Sequence, residues 1–532
     1  MLPSPRLSSP RWRGAAAVAG GALPALTFPE PGLWWFAYVA LVPWMLLLRT
    51  APTGRRAAIE GWLGGVGFTI AVHHWLIPSL HVFIVVVAAL FGLMWAPWGR
   101  LLWALLAGES SPARGAVAVV ALPSGWLMIE LVRSWEGLGG PWGLLGASQW
   151  EVSPALRLAS VGGVWLVSLL VLAVNTAVTV LIAVKRARTA AVGGGLVCAL
   201  ALTAVWIWAP QPRESGHARI ALVQPGIIQP GIVQGLDSVD RRFARGEELT
   251  RELIGQDLDL VVWGESSVGA DLLERPDLAA RLAVLSRAVG ADVLVNVDAR
   301  RQDSSGRTGI FKSSVLVGPQ GPTGDRYDKM RLVPFGEYVP ARELLGWATS
   351  VGKAAAEDRL RGTRPVVMVL PESAGGLRIG PIVCFESAFP DMSRRLTRDG
   401  SQLLIAQSST STFQGSWAPE QHASLAALRA AESGRPMVHA TLTGVSAVYG
   451  PDGDRVGRLI GTDASTAVVY DIPLATGTTL YVRFGDWPVY GALAVLALLC
   501  AAEGARSFRR PAPGPGEPLV HTAHESAARP GR

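Results

Sequence analysis

Stretches of mostly apolar residues alternate with short polar loops along the first 210 residues of the chain. Each stretch approaches the roughly 20 residues that an α-helix needs to cross the core of a bilayer. The pattern predicts a polytopic α-helical membrane domain over residues 1–210, with about seven transmembrane helices. The apolar stretches cover residues 14–28, 33–49, 58–77, 81–98, 115–132, 160–184 and 190–209.

An eighth apolar stretch covers residues 487–503 and predicts a C-terminal transmembrane helix. The tail after it, residues 504–532, is rich in proline and is predicted to be disordered. The first stretch has a second interpretation, because it contains Pro24 and follows an arginine-rich start. A secretory signal peptide is the alternative for residues 14–28.

Basic residues gather in every second loop between the apolar stretches. Cytoplasmic loops of membrane proteins carry an excess of Lys and Arg. The pattern therefore predicts a multi-pass protein with both termini in the cytoplasm and residues 216–478 on the outer side of the membrane. The basic residues that set this orientation are Arg6, Arg11, Arg13, Arg49, Arg55, Arg56, Arg100, Arg114, Lys185, Arg186, Arg188, Arg506, Arg509 and Arg510.

The hydrophobic pattern changes over residues 216–478, where short β-prone runs alternate with amphipathic stretches such as RRFARGEELTRELIGQ and PDLAARLAVLSRAVG. Runs of this kind, bounded by Gly, Pro or polar residues, are typical of strands. Their alternation with helices predicts a layered α/β domain. The predicted strands are ARIALVQPG, LDLVVWGES, ADVLVNVDAR, SSVLVGPQG, LRIGPIVCFES, QLLIAQSS, PMVHATLTG, VSAVYGPDG and TAVVYDIP.

The composition narrows the classes of function. Half of the 532 residues are hydrophobic and only 17% are charged, which is too apolar for an ordinary soluble enzyme. The net charge is +7, and the basic residues lie in loops beside apolar stretches. This placement favours a role in membrane orientation over binding of nucleic acid. Three cysteines are too few for a disulfide framework, and the eight histidines form no His-Glu-x-x-His pattern. Neither a metal nor another cofactor is predicted.

The loop between the fifth and sixth apolar stretches, residues 133–159, is rich in tryptophan and glycine. Tryptophan is common where a transmembrane helix meets the membrane surface. The loop is therefore interpreted as an interfacial shelf that lipid can approach, with a plain aromatic belt as the alternative.

Three residues that could carry chemistry lie at or just beyond the ends of predicted strands. Glu265 closes LVVWGES, Lys329 lies in RYDKMRLVPFGEYVP, and Cys384 closes LRIGPIVC. A cysteine nucleophile, a glutamate that takes its proton and a lysine that stabilises an oxyanion form a complete set for acyl transfer. The alternatives are a core cysteine, a helix-capping glutamate and a surface lysine. Spacing along the chain does not show whether the three residues meet.

Local sequence motifs support the hypothesis of acyl transfer. The segment CFESAFP, from Cys384, resembles the nucleophile segment of the nitrilase superfamily, and VVWGES resembles the strand that ends in its catalytic glutamate. YDKMRLVPFGEYVP is similar to the lysine segment of one branch, the apolipoprotein N-acyltransferases. GRPMVHATLTGVSAVYGPDG and the loop GGPWGLLGASQ, with Gly140 in place of a Phe, also resemble that branch. The resemblance covers nearly the whole chain and implies a nitrilase-like αββα sandwich.

The resemblance also implies roles for individual residues. Cys384 would receive a fatty acyl chain as a thioester, Glu265 would be the general base and Lys329 would stabilise the oxyanion. Glu337 would support the lysine. The residues that flank the nucleophile, where the family depends on an aromatic and an acid, are Phe385 and Glu386.

The same resemblance implies the substrates and the location. The acyl donor would be a glycerophospholipid, and the acceptor would be the diacylglyceryl-modified cysteine at the N-terminus of a lipoprotein. The protein would work as a monomer among the lipids of the bacterial inner membrane, with no nucleic-acid partner.

Two other functions stay open at this point. A membrane-tethered amidase or thioesterase would keep the same chemistry but pass the acyl group to water. A membrane scaffold or transporter with a degenerate outer domain is suggested by ionisable residues within the apolar stretches. Because most of them lie near the ends of these stretches, snorkelling or interfacial pairing is the simpler explanation. They are Glu60, His73, His74 and Glu130.

Overall fold

The computed structural model describes residues 9–226, 239–346 and 355–508. The first part of the chain is helical. Its helices are α1 (Pro10–Ala22), α2 (Val42–Arg49), α3 (Gly54–Val72), α4 (Ile77–Leu80), α5 (Phe83–Gly92), α6 (Trp95–Leu106), α7 (Pro112–Arg133), α8 (Ser153–Ala183) and α9 (Arg188–Trp208).

Several of the described helices can cross a bilayer by length and composition. Four qualify singly: α7, α8, the helical stretch Lys185–Trp208 that contains α9, and the last helix of the chain. Two bent pairs, α3 with His74–Leu80 and α5 with α6, could each provide one further crossing. These helices make the chain a multi-pass membrane protein. The predicted number of seven crossings before the α/β domain, and their orientation, stay predictions.

The first two predicted stretches form shorter helices than the hydrophobic pattern suggests. Helix α1 has 13 residues and gives way at Leu23 to a 3-10 turn that contains Pro24. Proline lacks the amide N–H that continues an α-helix, which accounts for this change. The second stretch is divided between a 3-10 turn, Trp34–Tyr38, and helix α2.

The two glutamates that the transporter hypothesis names, Glu60 and Glu130, are both buried. Glu60 is fully buried and accepts hydrogen bonds from Arg13 Nε at 2.7 Å and Arg56 Nε at 2.8 Å. Glu130, also fully buried, accepts from Trp126 Nε1 at 3.1 Å and from the Leu145 amide at 2.8 Å. Snorkelling is therefore wrong for both carboxylates, while the alternative of pairing is correct for Glu60. Removal of Arg13 or Arg56 would leave the buried Glu60 carboxylate with less compensation for its charge.

The two histidines suggested by the transporter hypothesis make local contacts. His73 Nδ1 lies 3.0 Å from the Thr69 carbonyl oxygen, and His74 Nδ1 lies 3.0 Å from that of Ala71. The Thr69 carbonyl oxygen also accepts from the His73 amide at 3.1 Å, so the His73 ring adds a second contact to it.

The middle of the chain forms two six-stranded mixed sheets, in the orders β12-β1-β2-β3-β4-β5 and β11-β10-β9-β8-β7-β6. All nine strands predicted from the sequence are present. The strands are β1 (Arg213–Gln224), β2 (Leu260–Trp263), β3 (Asp292–Gln302), β4 (Thr308–Gly318), β5 (Gly321–Asp328), β6 (Met368–Val369), β7 (Arg378–Val383), β8 (Leu403–Ser408), β9 (Met437–Thr441), β10 (Ser446–Tyr449), β11 (Arg455–Ile460) and β12 (Thr466–Thr476).

Helices cover the outer faces of the two sheets, which contact each other through β1, β2 and β9 and through β4 and β7. Apolar residues of α10 and α11 pack with the helix-facing residues of β1, β2 and β3 in one core cluster. The arrangement is helix, sheet, sheet, helix, so the predicted αββα fold class is confirmed. The helices of this region are α10 (Val239–Arg251), α11 (Pro276–Val289), α12 (Arg342–Leu345), α13 (Pro390–Arg398) and α14 (Ala418–Ser433).

The chain leaves the first sheet at β12, continues through α15 (Leu480–Phe484) and ends its described part with α16 (Trp487–Phe508), which packs against α7. Helix α16 runs five residues into the tail that was predicted to be disordered. The rest of that tail, with Arg509 and Arg510, lies outside the described residues, as does Arg6. The α/β domain is also bonded to α8, because Glu432 Oε1 accepts from the Val164 amide at 2.8 Å.

Candidate active site

Cys384 lies at a sharp turn where β7 gives way to a 3-10 turn, Cys384–Ala388. Its φ is +49°, a left-handed conformation that is uncommon for a residue with a side chain. Such backbone strain persists only where neighbours fix it, and it is frequent at functional sites. The thiol is half-buried, with Sγ 3.9 Å from the Ser409 carbonyl oxygen. The turn thus presents the thiol at the end of a rigid strand.

The side chain of Glu386 holds this turn in place. It is fully buried, and its Oε2 accepts from the Val383 amide at 2.7 Å. Its Oε1 accepts from the Tyr327 hydroxyl at 2.7 Å and from the amides of Met330 and Arg331 at 2.7 and 3.0 Å. One carboxylate therefore joins the nucleophile turn to the segment that carries Lys329.

Glu265 reaches the site from the first sheet, two residues after β2. The Glu265 amide donates to the Ser408 carbonyl oxygen at 3.1 Å, which bonds the two sheets together at this point. The preceding residue has to be glycine, because a Cβ on Gly264 would lie 2.0 Å from the Leu442 amide nitrogen. This close approach brings the Glu265 carboxylate to the end of the second sheet, where Cys384 lies.

Lys329 follows directly after β5 and is 1% exposed. Its Nζ lies 3.3 Å from Glu265 Oε1 and 2.8 Å from Glu337 Oε1. Glu337 is held in turn, since its Oε2 accepts from the Val333 amide at 2.9 Å. The structure thus brings together Glu265, Lys329 and Glu337, and Cys384 lies close enough to Glu265 for each group to shift the pKa of the other.

The charges around the site favour a protonated thiol beside an ionised carboxylate. Burial and the neighbouring Glu265 raise the pKa of Cys384 to about 12, although Lys329 opposes them. Burial by itself would raise the pKa of Glu265, but Lys312 and Lys329 outweigh it and hold that pKa below its ordinary value. Burial would lower the pKa of Lys329, but Glu265 and Glu337 raise it. A carboxylate base, a thiol and a fixed ammonium group are therefore present together.

Phe385, the other flanking residue, packs edge to face on Phe389, with ring centroids 4.9 Å apart. The loop between α7 and α8 covers these rings at Gly140. A Cβ there would lie 2.7 Å from Phe389 and 2.9 Å from Phe385, and the φ of Gly140 is +74°. A larger residue at position 140 would have to displace the rings beside the nucleophile.

The same loop contacts the scaffold of the nucleophile through a tryptophan. Trp142 Nε1 donates to Gln421 Oε1 at 3.0 Å, and its ring lies 5.5 Å from that of His422. His422 Nε2 lies 3.1 Å from the Cys384 carbonyl oxygen. Part of this loop therefore packs on the α/β domain, while Trp135 is 65% exposed, as an interfacial residue would be.

Sequence reasoning missed three residues that contact the site, Lys312, Tyr327 and His422. Lys312 Nζ lies 3.3 Å from Glu265 Oε1, and Tyr327 bonds to Glu386. Lys312 occupies a β-prone run that reads as an ordinary strand, so no local signal marks it. His422 lies within a helix whose sequence suggests only a covering layer. Their roles arise from strand pairing, which brings distant segments together.

Comparison with known proteins agrees with this architecture in two parts. A family model described as Carbon-nitrogen hydrolase matches residues 219–481, the region of the two sheets. A second model, described as Apolipoprotein N-acyltransferase N-terminal domain, matches residues 20–177. The α/β domain with its Cys, Glu and Lys side chains is thus of the nitrilase superfamily, joined to membrane helices.

Relatives along nearly the whole chain define the family more narrowly. The apolipoprotein N-acyltransferase of Azotobacter vinelandii is 33% identical over 96% of this chain and 98% of its own length. Those of Pseudomonas aeruginosa and Geobacter metallireducens are 30% and 29% identical, over 92% of this chain and 96% and 95% of their own lengths. The chain belongs to the apolipoprotein N-acyltransferase family, and it is an N-acyltransferase.

A solved amidase structure from a Nesterenkonia species is also similar, at 19% identity over 53% of this chain and 98% of its own, with a TM-score of 0.35. A similarity at that level does not indicate a function.

Proposed function

We propose that this protein N-acylates lipoproteins by carrying the acyl chain on Cys384 as a thioester. The donor is a glycerophospholipid, and the acceptor is the α-amino group of the diacylglyceryl-modified cysteine of a lipoprotein. The observation that supports this best is the meeting of three strand ends from two sheets. Glu265 contacts Lys329 Nζ and lies close enough to Cys384 to raise the pKa of the thiol, although 64 and 119 positions of the chain separate it from them.

In the first half-reaction Glu265 takes the thiol proton as Sγ attacks the carbonyl carbon of the donor ester. The carbonyl oxygen becomes an oxyanion, and Lys329 lies where its ammonium group can stabilise that charge. The C–O bond to the glycerol oxygen then breaks, and the leaving alkoxide receives the proton from Glu265. The products are the Cys384 thioester and a lysophospholipid. Because the resting thiol keeps its proton, removal of that proton has to accompany the attack.

In the second half-reaction the lipoprotein amine attacks the thioester carbon and again forms an oxyanion beside Lys329. Glu265 accepts a proton from the amine nitrogen and passes it to the departing sulfur of Cys384. An amide is formed and the thiol is restored. A thioester suits this step, because it is reactive towards amines.

Glu337 and the residues that flank the nucleophile have supporting roles in this proposal. Glu337 holds Lys329 through the 2.8 Å contact, so the ammonium group stays beside the reacting carbonyl. Glu386 fixes the turn of Cys384, and Phe385 forms part of the apolar wall beside it. Preorganised groups of this kind lower the reorganisation needed when charge develops.

The position in the membrane is part of the same proposal. Residues 1–210 and helix 487–503 anchor the α/β domain at both ends in the inner membrane of a bacterium. The domain would face the extracytoplasmic side, with both termini in the cytoplasm, and the protein would work as a monomer without nucleic acid. Both substrates are held in the membrane by their acyl chains, so a thiol tethered to the same membrane encounters them by diffusion in two dimensions.

The test is the intact mass of the purified protein after incubation with phospholipid. A mass increase of one acyl chain that hydroxylamine removes is expected for the native protein and not for Cys384→Ser. Cys500→Ser, which changes an exposed thiol of α16, is the matched control and should behave as the native protein does. No adduct on folded native protein would contradict the thioester route.

A second measurement separates transfer from hydrolysis. The acylated protein is mixed with a synthetic diacylglyceryl-cysteine peptide, and the products are analysed by mass. An N-acylated peptide is expected. Release of free fatty acid with no amide product would mean that water is the acceptor, as in an amidase or thioesterase.

A further inference from the structure

A second lysine contacts the same carboxylate oxygen as Lys329. Lys312 lies in β4, and its Nζ is 3.3 Å from Glu265 Oε1, the distance at which Lys329 Nζ also lies. The Lys312 side chain is 14% exposed. It also donates to the Ser266 hydroxyl at 2.6 Å and lies 3.5 Å from Asp298 Oδ1. Two ammonium groups therefore converge on one oxygen of the proposed base.

We propose that Lys312 is a positioning residue that keeps Glu265 ionised and directed at Cys384 while Lys329 turns to the oxyanion of the substrate. This inference rests on the proposed function and deepens it. It assigns to Lys312 the electrostatic support of the base, separate from the stabilisation of the oxyanion.

The need for a second cation follows from the contacts of Lys329. In the free site Lys329 divides its donors between Glu265 at 3.3 Å and Glu337 at 2.8 Å. When an oxyanion forms, Lys329 has to bond to it, and its attraction for Glu265 is then shared with a new negative charge. Lys312 keeps a cation on Glu265 throughout, since its other partners are the Ser266 hydroxyl and the Asp298 carboxylate.

The sheet fixes Lys312 in this place. It pairs with Asp298 of β3 across the antiparallel ladder, and its carbonyl oxygen accepts from the Lys329 amide at 2.9 Å. Ser266, which receives the bond from Lys312 Nζ, is itself held by its amide, which donates to Asn296 Oδ1 at 2.9 Å. A side chain anchored through its strand on both edges loses little freedom when it contacts Glu265.

The charged groups around Glu265 determine whether its pKa rises or falls when Lys312 is replaced. Two cations face it, and the Cys384 thiol is neutral with its pKa raised by burial and by Glu265. Burial lowers the pKa of His422 to about 4, so this ring is neutral at ordinary pH. Loss of one cation therefore raises the pKa of Glu265. The ionisable groups that face Glu265 are Lys312, Lys329, Glu337, Asp298, Cys384 and His422.

The experiment is the pH dependence of Cys384 acylation by phospholipid in detergent, measured by quenched-flow and intact mass. For Lys312→Met we expect the acid limb of the rate profile to move up by about one pH unit or more, because each unit is a tenfold change in the ionised fraction below the pKa. Lys312→Arg should restore the native limb. Thr308→Val, an exposed change on the same strand, is the matched control and should leave the profile unchanged.

Each outcome has a separate meaning. If native protein forms no adduct at any pH, the proposed function is wrong and this inference falls with it. If native protein is acylated and folded Lys312→Met has the native acid limb, Lys312 has no effect on the base and only this inference is overturned. Lys312→Gln serves as a second neutral variant should the Met variant not fold. A uniform loss of rate with an unshifted limb also overturns the inference.

Discussion

Replacement of Glu386 by glutamine changes a single group that joins the two halves of the candidate site. The carboxylate accepts four hydrogen bonds, three at Oε1 and one at Oε2, and all four partners are donors. A glutamine amide can place its oxygen where Oε1 lies and keep three of them. Its NH₂ group then faces the Val383 amide, donor against donor.

The cost follows from these contacts. At least one buried hydrogen bond is lost and one buried amide N–H is left without a partner, which costs about 1–3 kcal/mol. Loss of the charge weakens the three remaining bonds, because bonds to ionised acceptors are about twice as strong as neutral ones. We therefore expect Glu386→Gln to destabilise the protein by about 2–4 kcal/mol, a drop in Tm of roughly 5–10 °C for a domain of this size.

The change should also slow acylation at temperatures where the variant is folded. The lost bond to Val383 lies next to Cys384, so the strained turn is held less firmly relative to Lys329. If the looser geometry raises the activation free energy by about 1.4 kcal/mol, the rate falls tenfold. We expect a loss of about tenfold or more.

Thermal unfolding in detergent, followed by circular dichroism, and the single-turnover rate of Cys384 acylation test the two statements. Glu372→Gln, which changes an exposed carboxylate near the same sheet, is the control and should have neither effect. A Tm of Glu386→Gln within about 1 °C of the native value, together with the native acylation rate, would refute the reasoning.

Three other predictions follow from the same site. Lys329→Met leaves two buried carboxylates without their shared cation, so we expect a loss of about 3–5 kcal/mol in stability and of about 100-fold or more in acylation rate; unchanged melting and turnover would contradict this. Because burial and Glu265 raise the pKa of Cys384 to about 12, its alkylation by iodoacetamide should accelerate steadily from pH 6 to 10, and a plateau near pH 7 in peptide mass mapping would argue against it. Gly140→Ala places a methyl group 2.7 Å from Phe389 at a left-handed φ, so it should cost about 1–3 kcal/mol in a melting experiment, whereas Gly139→Ala, with open space around its Cβ, serves as the control for backbone strain alone.

The sequence was most informative where the signal is local. Apolar runs of helical length and short β-prone runs depend on neighbouring residues only, and all nine predicted strands are present. The strands that were not predicted, β5, β6 and β11, lie at or near sheet edges, and β5 and β11 carry many polar residues. An edge strand is paired on one side only and buries little surface, so its hydrophobic alternation is weak.

Proline and ion pairing explain where the local signal was misleading. The apolar run at 14–28 predicted a membrane-spanning helix interrupted by Pro24, and in the structure the α-helix gives way to a 3-10 turn at Leu23. For Glu60 the sequence left snorkelling and pairing open, because it does not show that Arg13 and Arg56 would bury the carboxylate in an ion pair. A buried charge is stable only with partners, and partners from another helix are not visible in a hydrophobic pattern.

The sequence by itself determined the multi-pass membrane class, the α/β class and the choice of Glu265, Lys329 and Cys384 as candidates, since each rests on local pattern or motif. Only the tertiary structure decided that these three meet, that Glu386 fixes the turn of the nucleophile and that Lys312 contacts Glu265 Oε1. The physical reason is that strand pairing and sheet packing bring the ends of separate strands within 3–4 Å of one another. The spacing of residues along the chain does not specify these distances between strand ends.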